Sequence, residues 1–246
     1  MNELDQLRDM VQAADNIVFF GGAGVSTESN IPDFRSEQGL YQTKSKYGSE
    51  PETMLSHSFF EQRPEEFFNY YLHEMIYSQA QPNAAHQALA GLEQQGKLKA
   101  VITQNIDGLH QKAGSQRVLE LHGSVLRNYC LNCGLKYDVD FMLQFRDADS
   151  HIPHCRDCGG VVRPDVVLYE EGLDDKVMRA AITAIRQADL LLVGGTSLAV
   201  YPAAGLLHYF QGRRLVLINK SATAFDSRAG LVIHDSVGQA LKYAIS

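Results

Sequence analysis

Ile17-Val18-Phe19-Phe20-Gly21-Gly22-Ala23-Gly24-Val25-Ser26-Thr27 is the stretch that decides the fold. A short run that is apolar on both faces reads as a strand buried in a parallel sheet, and here glycines follow it at once. Further short runs read as strands at Ala100–Thr103, Val118–Leu121, Val166–Tyr169, Leu190–Val193, Leu215–Asn219 and Leu231–His234. Helical patterns over 3–15, 83–95, 173–188, 200–210 and 236–245 lie between them, each long enough for a crossover. The expected fold class is α/β, a doubly wound, mostly parallel sheet.

Two stretches break this alternation. Residues 36–79 carry no good strand, and Pro64-Glu65-Glu66-Phe67-Phe68-Asn69-Tyr70-Tyr71 starts a helix with proline in its first turn and acids beside the positive dipole end. Residues 124–160 hold all four cysteines and the Gly159-Gly160 turn. Both read as insertions, helical over 36–79 and zinc-binding over 124–160, that form a smaller domain and leave 1–35, 80–123 and 161–246 to the sheet.

The cysteines fall as Cys130-Leu131-Asn132-Cys133 and Cys155-Arg156-Asp157-Cys158, with twenty-one residues between the pairs. That layout reads as one tetrahedral zinc site, because each two-residue spacer bends a knuckle whose thiolates both face one ion. Two disulfides, or four idle thiols, are the competing readings. A four-thiolate site has no open coordination position, so the metal would brace the fold and the chemistry lies elsewhere. His151 and His154 lie close to Cys155, but four thiolates already complete the site.

A formal net charge of −7, from 29 acids and 22 bases without a long single-sign block, gives no electrostatic footprint for nucleic acid. The acidic N-terminus, with Leu4, Leu7 and Val11 at helical spacing, is no signal peptide, and no run approaches a membrane span. Zinc-type cysteine spacing without a secretion signal points to the cytoplasm.

Ligands of open α/β sheets bind beyond the carboxyl ends of the strands. Those ends carry Gly21-Gly22-Ala23-Gly24-Val25-Ser26-Thr27, Gln104-Asn105-Ile106-Asp107, His122-Gly123, Gly194-Gly195-Thr196-Ser197 and Asn219-Lys220. The first glycine run matches only the opening of a dinucleotide fingerprint, since Thr27 stands at the third glycine. A tight turn that needs small residues explains it too, although glycines opening a helix also let amides approach a pyrophosphate. Among nine histidines, His122 alone ends an expected strand at this edge and precedes a glycine, which makes it the candidate general base; a hydrogen-bonded structural role is the alternative. His110 falls within an expected helix and reads as structural. Asp33-Phe34-Arg35, after Ile31-Pro32, is either a surface ion pair or a segment that closes over a nucleotide.

These residues together resemble the sirtuins, the NAD-dependent protein lysine deacylases of bacterial type. The resemblance covers nearly the whole chain: Gly22-Ala23-Gly24-Val25-Ser26, Ile31-Pro32-Asp33-Phe34-Arg35, Thr103-Gln104-Asn105-Ile106-Asp107, Leu121-His122-Gly123, both cysteine pairs, Arg163-Pro164, Gly195-Thr196-Ser197-Leu198 and Tyr201-Pro202. It implies a Rossmann-like domain and a small zinc domain that bind NAD between them. Gly22, Ala23, Thr27 and Arg35 match positions near the phosphates and ribose, and Phe34 would cover the reactive face. Gln104 would hold the nicotinamide ribose, and Asn105, Ile106 and Asp107 would line the nicotinamide pocket. Thr196, Ser197, Asn219 and the backbone near Val237 would contact the adenosine half.

The implied reaction is covalent trapping: nicotinamide leaves, the acyl oxygen of the substrate lysine attacks the anomeric carbon, and His122 then draws a proton from a ribose hydroxyl. Free lysine, nicotinamide and O-acyl-ADP-ribose result. An acyl-lysine protein or peptide is the implied partner, lying in the cleft as a strand added to Val166-Val167-Leu168-Tyr169 on a monomeric enzyme. Protein ADP-ribosyl transfer or NAD hydrolysis at the same site is the alternative activity.

The chain departs from the sirtuin pattern at three places. Asn30 stands where glycine usually precedes Ile-Pro-Asp, and asparagine tolerates a left-handed backbone. Glu170-Glu171 stands where many members have glycine then glutamate, so Glu170 would disturb the peptide backbone or favour basic flanks. Members that remove succinyl or malonyl groups carry a tyrosine and an arginine three residues apart, against which this chain offers Tyr41 and Lys44. Lysine lacks the bidentate fork, so acetyl or another apolar acyl group is expected.

Overall fold

The computed structural model describes residues 2–33 and 44–246. Its helices are α1 (Glu3–Gln12), α2 (Pro51–Met54), α3 (His57–Gln62), α4 (Pro64–Glu74), α5 (Ala84–Gln94), α6 (Leu109–Lys112), α7 (Val139–Leu143), α8 (Asp175–Gln187) and α9 (Val237–Ile245). Its strands are β1 (Ile17–Gly21), β2 (Leu98–Thr103), β3 (Val118–Glu120), β4 (Gly123–Cys130), β5 (Lys136–Tyr137), β6 (Val162–Val166), β7 (Leu190–Gly194), β8 (Arg214–Ile218) and β9 (Leu231–Ile233).

Strand β1 is buried along its whole length, and its alternation feeds two cores. Ile17 and Phe19 pack with Leu7, Leu89 and Leu241 from α1, α5 and α9. Val18 and Phe20 pack on the opposite face with Ala181 and Ile185 of α8 and Leu206. The sheet runs β3-β2-β1-β7-β8-β9 with every pair parallel, so all its carboxyl ends lie along one edge. Strand order reverses between β1 and β7, which opens a crevice there.

A second sheet, β5-β4-β6, is antiparallel. Its core joins Phe60, Phe67, Phe68 and Leu72 of the helical stretch to Val125, Phe141, Val162 and the two inner cysteines, Cys130 and Cys155. Helix α4 begins as its sequence demands, with Pro64 in the first turn and Glu65 and Glu66 beside it.

Three sequence expectations are corrected. Val166–Tyr169 is no strand of the main sheet: β6 pairs with β4, and residues 167–169 are held by single bonds from Val167 N to His122 O and Tyr169 N to Leu55 O. The run is apolar because Val166 and Leu168 belong to the smaller core. Residues 200–210 form a 3₁₀ helix only over Ala203–Tyr209, with Gly205 in its middle and the Gly205 amide bonded back to Pro202 O. The glycine run after β1 opens onto two short 3₁₀ turns, Ala23–Val25 and Thr27–Ser29, instead of a regular helix.

The reason for those turns is the approach of β7. Gly24 N donates to Gly195 O at 2.8 Å, and a methyl group on Gly24 would meet the Gly195 Cα at 2.7 Å. Backbone cannot yield cheaply there, so Gly24→Ala should cost about 1–3 kcal/mol, as overpacking does. That corresponds to a melting temperature lower by roughly 3–10 °C. A thermal melt checks this, and an unchanged midpoint would show that the two turns are not locked together.

Candidate active site

The glycine turns fix what stands beside them. Gly22 N donates to Gly194 O at 3.3 Å, so the amides of Gly22 and Gly24, which sequence suggested for a pyrophosphate, are already bonded to the β7 turn. Ala23 and Thr27 remain half-buried at the crevice. Thr27 Oγ1 donates to Gly24 O at 3.0 Å. Asn30 closes the turn with φ 61° and ψ 26°, the left-handed conformation its residue type was expected to accept.

At the end of β2, Gln104 is buried and spans the crevice: its Nε2 donates to Thr196 Oγ1 at 3.0 Å and lies 3.4 Å from Gly21 O. Ser26 bridges the next two polar residues, accepting from Asn105 Nδ2 at 3.0 Å and donating to Asp107 Oδ2 at 2.7 Å. This directed chain fixes the Asn105 amide with its nitrogen inward. Burial raises the Asp107 carboxyl above its usual range, and bonds from the Leu109 amide and Ser26 offset only part of that. Ser26 carries no distinct signal in the sequence, since no spacing marks a lone serine after glycines.

His122 sits between β3 and β4, its Nδ1 2.9 Å from Gln104 O. A carbonyl only accepts, so Nδ1 carries the proton and Nε2 is the basic nitrogen of the neutral ring. Gly123 follows with φ 76°, and a Cβ there would meet Asp165 O at 2.0 Å. His110 lies elsewhere, packed on the His86 ring at 4.7 Å, where burial pushes it down to about 3.

Gln104, Asn105, Ile106, Asp107 and His122 border one cavity of about 270 Å³, together with Ala23, Ser26 and the Val166–Glu171 segment. Tyr71, Met75 and Leu55 close it on the side of the smaller core. Thr196 is buried behind Gln104, and Ser197 is exposed. Asn219 extends β8, its Nδ2 bonded to Ser221 O at 2.7 Å. Val237 is buried at the start of α9, where Glu28 Oε1 accepts from the next amide, Gly238 N, at 3.3 Å. Phe34, Arg35 and Tyr41 lie outside the described residues; Lys44 pairs with Glu50 at 3.4 Å on the surface.

The four cysteine sulfurs lie within 4.8 Å of one another, with Cys130 to Cys158 at 3.4 Å and Cys133 to Cys155 at 3.6 Å. These separations are far beyond a disulfide bond, and all four thiols are free. They match the edge of about 3.8 Å that zinc–sulfur bonds near 2.3 Å impose on a tetrahedron. Both knuckles close alike, Gly134 N to Cys130 O and Gly159 N to Cys155 O. His151 and His154 each face a backbone carbonyl, Phe145 O and Gly159 O.

The sequence model of the Sir2 family matches residues 22–202. An NAD-dependent protein deacetylase of Clostridium acetobutylicum is 58% identical over 245 residues, spanning 100% of this chain and 99% of that protein. One of Staphylococcus epidermidis is 45% identical, spanning 99% of this chain and 97% of that one. The chain belongs to the Sir2 family. Solved Sir2 structures agree in fold: a Sir2 variant with deacetylated p53 peptide and 3′-O-acetyl ADP-ribose has a TM-score of 0.89 at 38% identity, covering 99% of this chain and 98% of that one. A Sir2–p53 peptide–NAD⁺ complex has a TM-score of 0.86 at 37% identity, covering 100% and 98%.

This Sir2-family chain carries a carboxylate pair on the cavity wall that sequence read only in part. Glu170 holds φ 77°, and its carboxylate accepts from Ser58 N at 2.8 Å and Ser58 Oγ at 2.9 Å, which ties it to the first turn of α3. Glu171 forks onto Arg163 at 2.8 and 3.1 Å and accepts from Leu168 N at 2.9 Å, with His57 Nδ1 also at 2.9 Å. Burial alone would raise its pKa, but Arg163, the Leu168 amide and His57 outweigh that and hold it at about 2.

A carboxyl depressed in the folded state stabilises above its unfolded pKa and loses that contribution as pH falls. From the ordinary 4.5 down to about 2, the linkage is worth at most about 3 kcal/mol. Glu171→Gln should therefore lower stability at pH 7, and its deficit against the parent protein should shrink as pH falls from about 5 to 2. Denaturant unfolding across that range measures it; a deficit independent of pH would contradict the assignment.

Proposed function

We propose that the chain is an NAD-dependent protein lysine deacetylase that yields nicotinamide, free lysine and O-acetyl-ADP-ribose. The observation that carries this reading is the convergence of Gln104, Asn105, Asp107 and His122 on one cavity at the strand-order reversal. Relatives named NAD-dependent protein deacetylases along the full length support it.

In this reading NAD lies across the crevice and is the substrate that receives the acyl group. Ala23 and Thr27 border its phosphates with Arg35, Phe34 covers the reacting face, and Thr196, Ser197, Asn219 and Val237 surround the adenosine half. Gln104 holds the ribose through a side chain already fixed by Thr196 and Gly21. Asn105, its nitrogen committed to Ser26, presents its oxygen to the nicotinamide amide. His122 takes the ribose hydroxyl proton on Nε2, held in that tautomer by Gln104 O. These are positioning and electrostatic tasks that rigid polar groups perform well.

The acyl-lysine peptide lies extended beside Val166–Tyr169. Among the described residues, Val167 O accepts no hydrogen bond, whereas the carbonyls of Val166, Leu168 and Tyr169 already do. Zinc on Cys130, Cys133, Cys155 and Cys158 is structural, since four thiolates leave it no open position. The domain division follows the same scheme, with 36–79 and 124–160 as the small domain, extended by Val162–Val166, which pairs with β4 and packs in its core, and 1–35, 80–123 and the rest of 161–246 as the NAD-binding one. The protein acts as a monomer in the cytoplasm, where four free thiols stay reduced. No helix of the described residues is long and apolar enough to cross a membrane.

Mass spectrometry of an acetyl-lysine peptide incubated with and without NAD tests the reaction. O-acetyl-ADP-ribose is the expected product; ADP-ribose attached to protein, or free ADP-ribose alone, would instead favour ribosyl transfer or NAD hydrolysis. His122→Tyr should lower deacetylation by about a hundred-fold or more while the cysteine site keeps its metal, and substantial residual activity would sink the assignment. Removing zinc with a chelator should raise amide hydrogen exchange over 124–160 and abolish activity together. A metal-free protein that stays protected and active would show the ion to be dispensable.

A further inference from the structure

Glu170 holds a backbone conformation that does not suit its residue type: φ 77° lies in the left-handed region, where glycine sits freely and a long side chain does not. What the side chain gains there is a fixed place for a charge. Ser58 N and Ser58 Oγ donate to its two oxygens at 2.8 and 2.9 Å. Both donors are neutral, so they hold the carboxylate still and leave its charge intact. Glu170 borders the cavity and is exposed. The basic side chains packed around its neighbour Glu171 are committed elsewhere: Arg163 forks onto Glu171, and His57 lies between Glu171 at 2.9 Å and Glu61 at 3.4 Å.

The surroundings share its sign. The described cavity wall holds Asp33, Glu52, Asp107, Glu170 and Glu171 but no lysine or arginine. Asp107 is turned onto Ser26, and Glu171 is neutralised by Arg163. Among the described residues, neither Glu52 on α2 nor Glu170 meets a cation at ion-pair distance. Glu170 also follows directly on Val166–Tyr169, the run beside which the deacetylase reading lays the peptide. An extended chain rises about 3.3 Å per residue, so a side chain two or three positions from the residue beside Val167 comes level with Glu170. A lysine or arginine there meets a carboxylate that is already immobilised, which lowers the ordering cost of the pair, whereas an acidic residue meets like charge.

Resting on the deacetylase reading, we propose that Glu170 is a specificity-determining residue, and that the preferred substrates are acetyl-lysine segments with a lysine or arginine two or three residues from the modified lysine. Glu170 acts on the binding of that flank, and the bonds made and broken at the acetyl group are unchanged.

The test measures kcat/KM with NAD for one acetyl-lysine peptide whose residues two and three positions away, on either side, are arginine, glutamine or glutamate, on the parent protein and Glu170→Gln. On the parent protein arginine should exceed glutamine by about two- to five-fold, the worth of an exposed ion pair, and glutamate should fall below glutamine by a similar factor. The differences should lie in KM with kcat shared, because the contact is the same before and in the transition state. They should shrink at about 1 M salt, which screens exposed charges. Glu170→Gln, which keeps an oxygen for Ser58, should bring the three peptides together; should it not fold, Glu170→Gly, free of the left-handed constraint, should do the same. Equal rates on the parent protein, or a preference that survives in a folded Glu170 variant, overturns the proposal, and so does a preference that vanishes only in Glu52→Gln. Turnover of all three peptides without order defeats this inference alone; no turnover of any peptide defeats the deacetylase reading itself.

Discussion

The contact between the turns that end β1 and β7 leaves no room for a methyl group, and the rest of the cavity hangs from it. Gly24 lies against Gly195 backbone to backbone, which sets the distance between two strands that belong to opposite halves of the sheet. Gln104 then bridges the two turns from the next strand, bonding Thr196 and approaching Gly21 with its side chain. Its carbonyl orients His122. The His122 ring therefore owes its tautomer to a residue that is itself fixed by the glycine contact, two steps away from the sheet's central pair.

A second constraint reaches His122 from the other side. Strand β4 begins at Gly123, directly after the histidine, and ends at Cys130, the first thiol of the metal cluster. Gly123 lies so close to Asp165 O that only glycine fits, which pins the near end of β4 to β6. The far end is pinned where Cys130 N bonds Leu135 O and its sulfur joins the cluster. One eight-residue strand thus couples a metal-binding knuckle to the imidazole, and the cluster supports the site without facing it.

Much of this was legible in the sequence because the determinants are local. Apolar runs with strand-end glycines gave the parallel sheet, and paired Cys-x-x-Cys spacing gave the thiol cluster. Val166–Tyr169 misled because burial in a small core writes the same apolar run as burial in a sheet; only pairing partners distinguish them. The Gly22 and Gly24 amides misled for a related reason. A glycine-rich turn looks the same whether its amides await a phosphate or bond another loop distant in sequence. Ser26 and Glu171 carry no role that spacing could show, because their importance lies in partners 81 and 8 residues away: Ser26 reaches Asp107 and Glu171 reaches Arg163.

The backbone around Val166–Tyr169 bears on how selective peptide binding would be. Most of that run is already bonded, to His122 and Leu55 through amides and to Arg163, Glu171 and His57 through carbonyls. A peptide that adds here gains few main-chain bonds, and affinity by strand addition depends on such bonds. Ser58 anchors both oxygens of Glu170 but, as a neutral donor, leaves the carboxylate's negative charge in place beside the run. In the proposed reaction, discrimination then rests less on main-chain pairing than on the fixed Glu170 charge and on the group carried by the lysine.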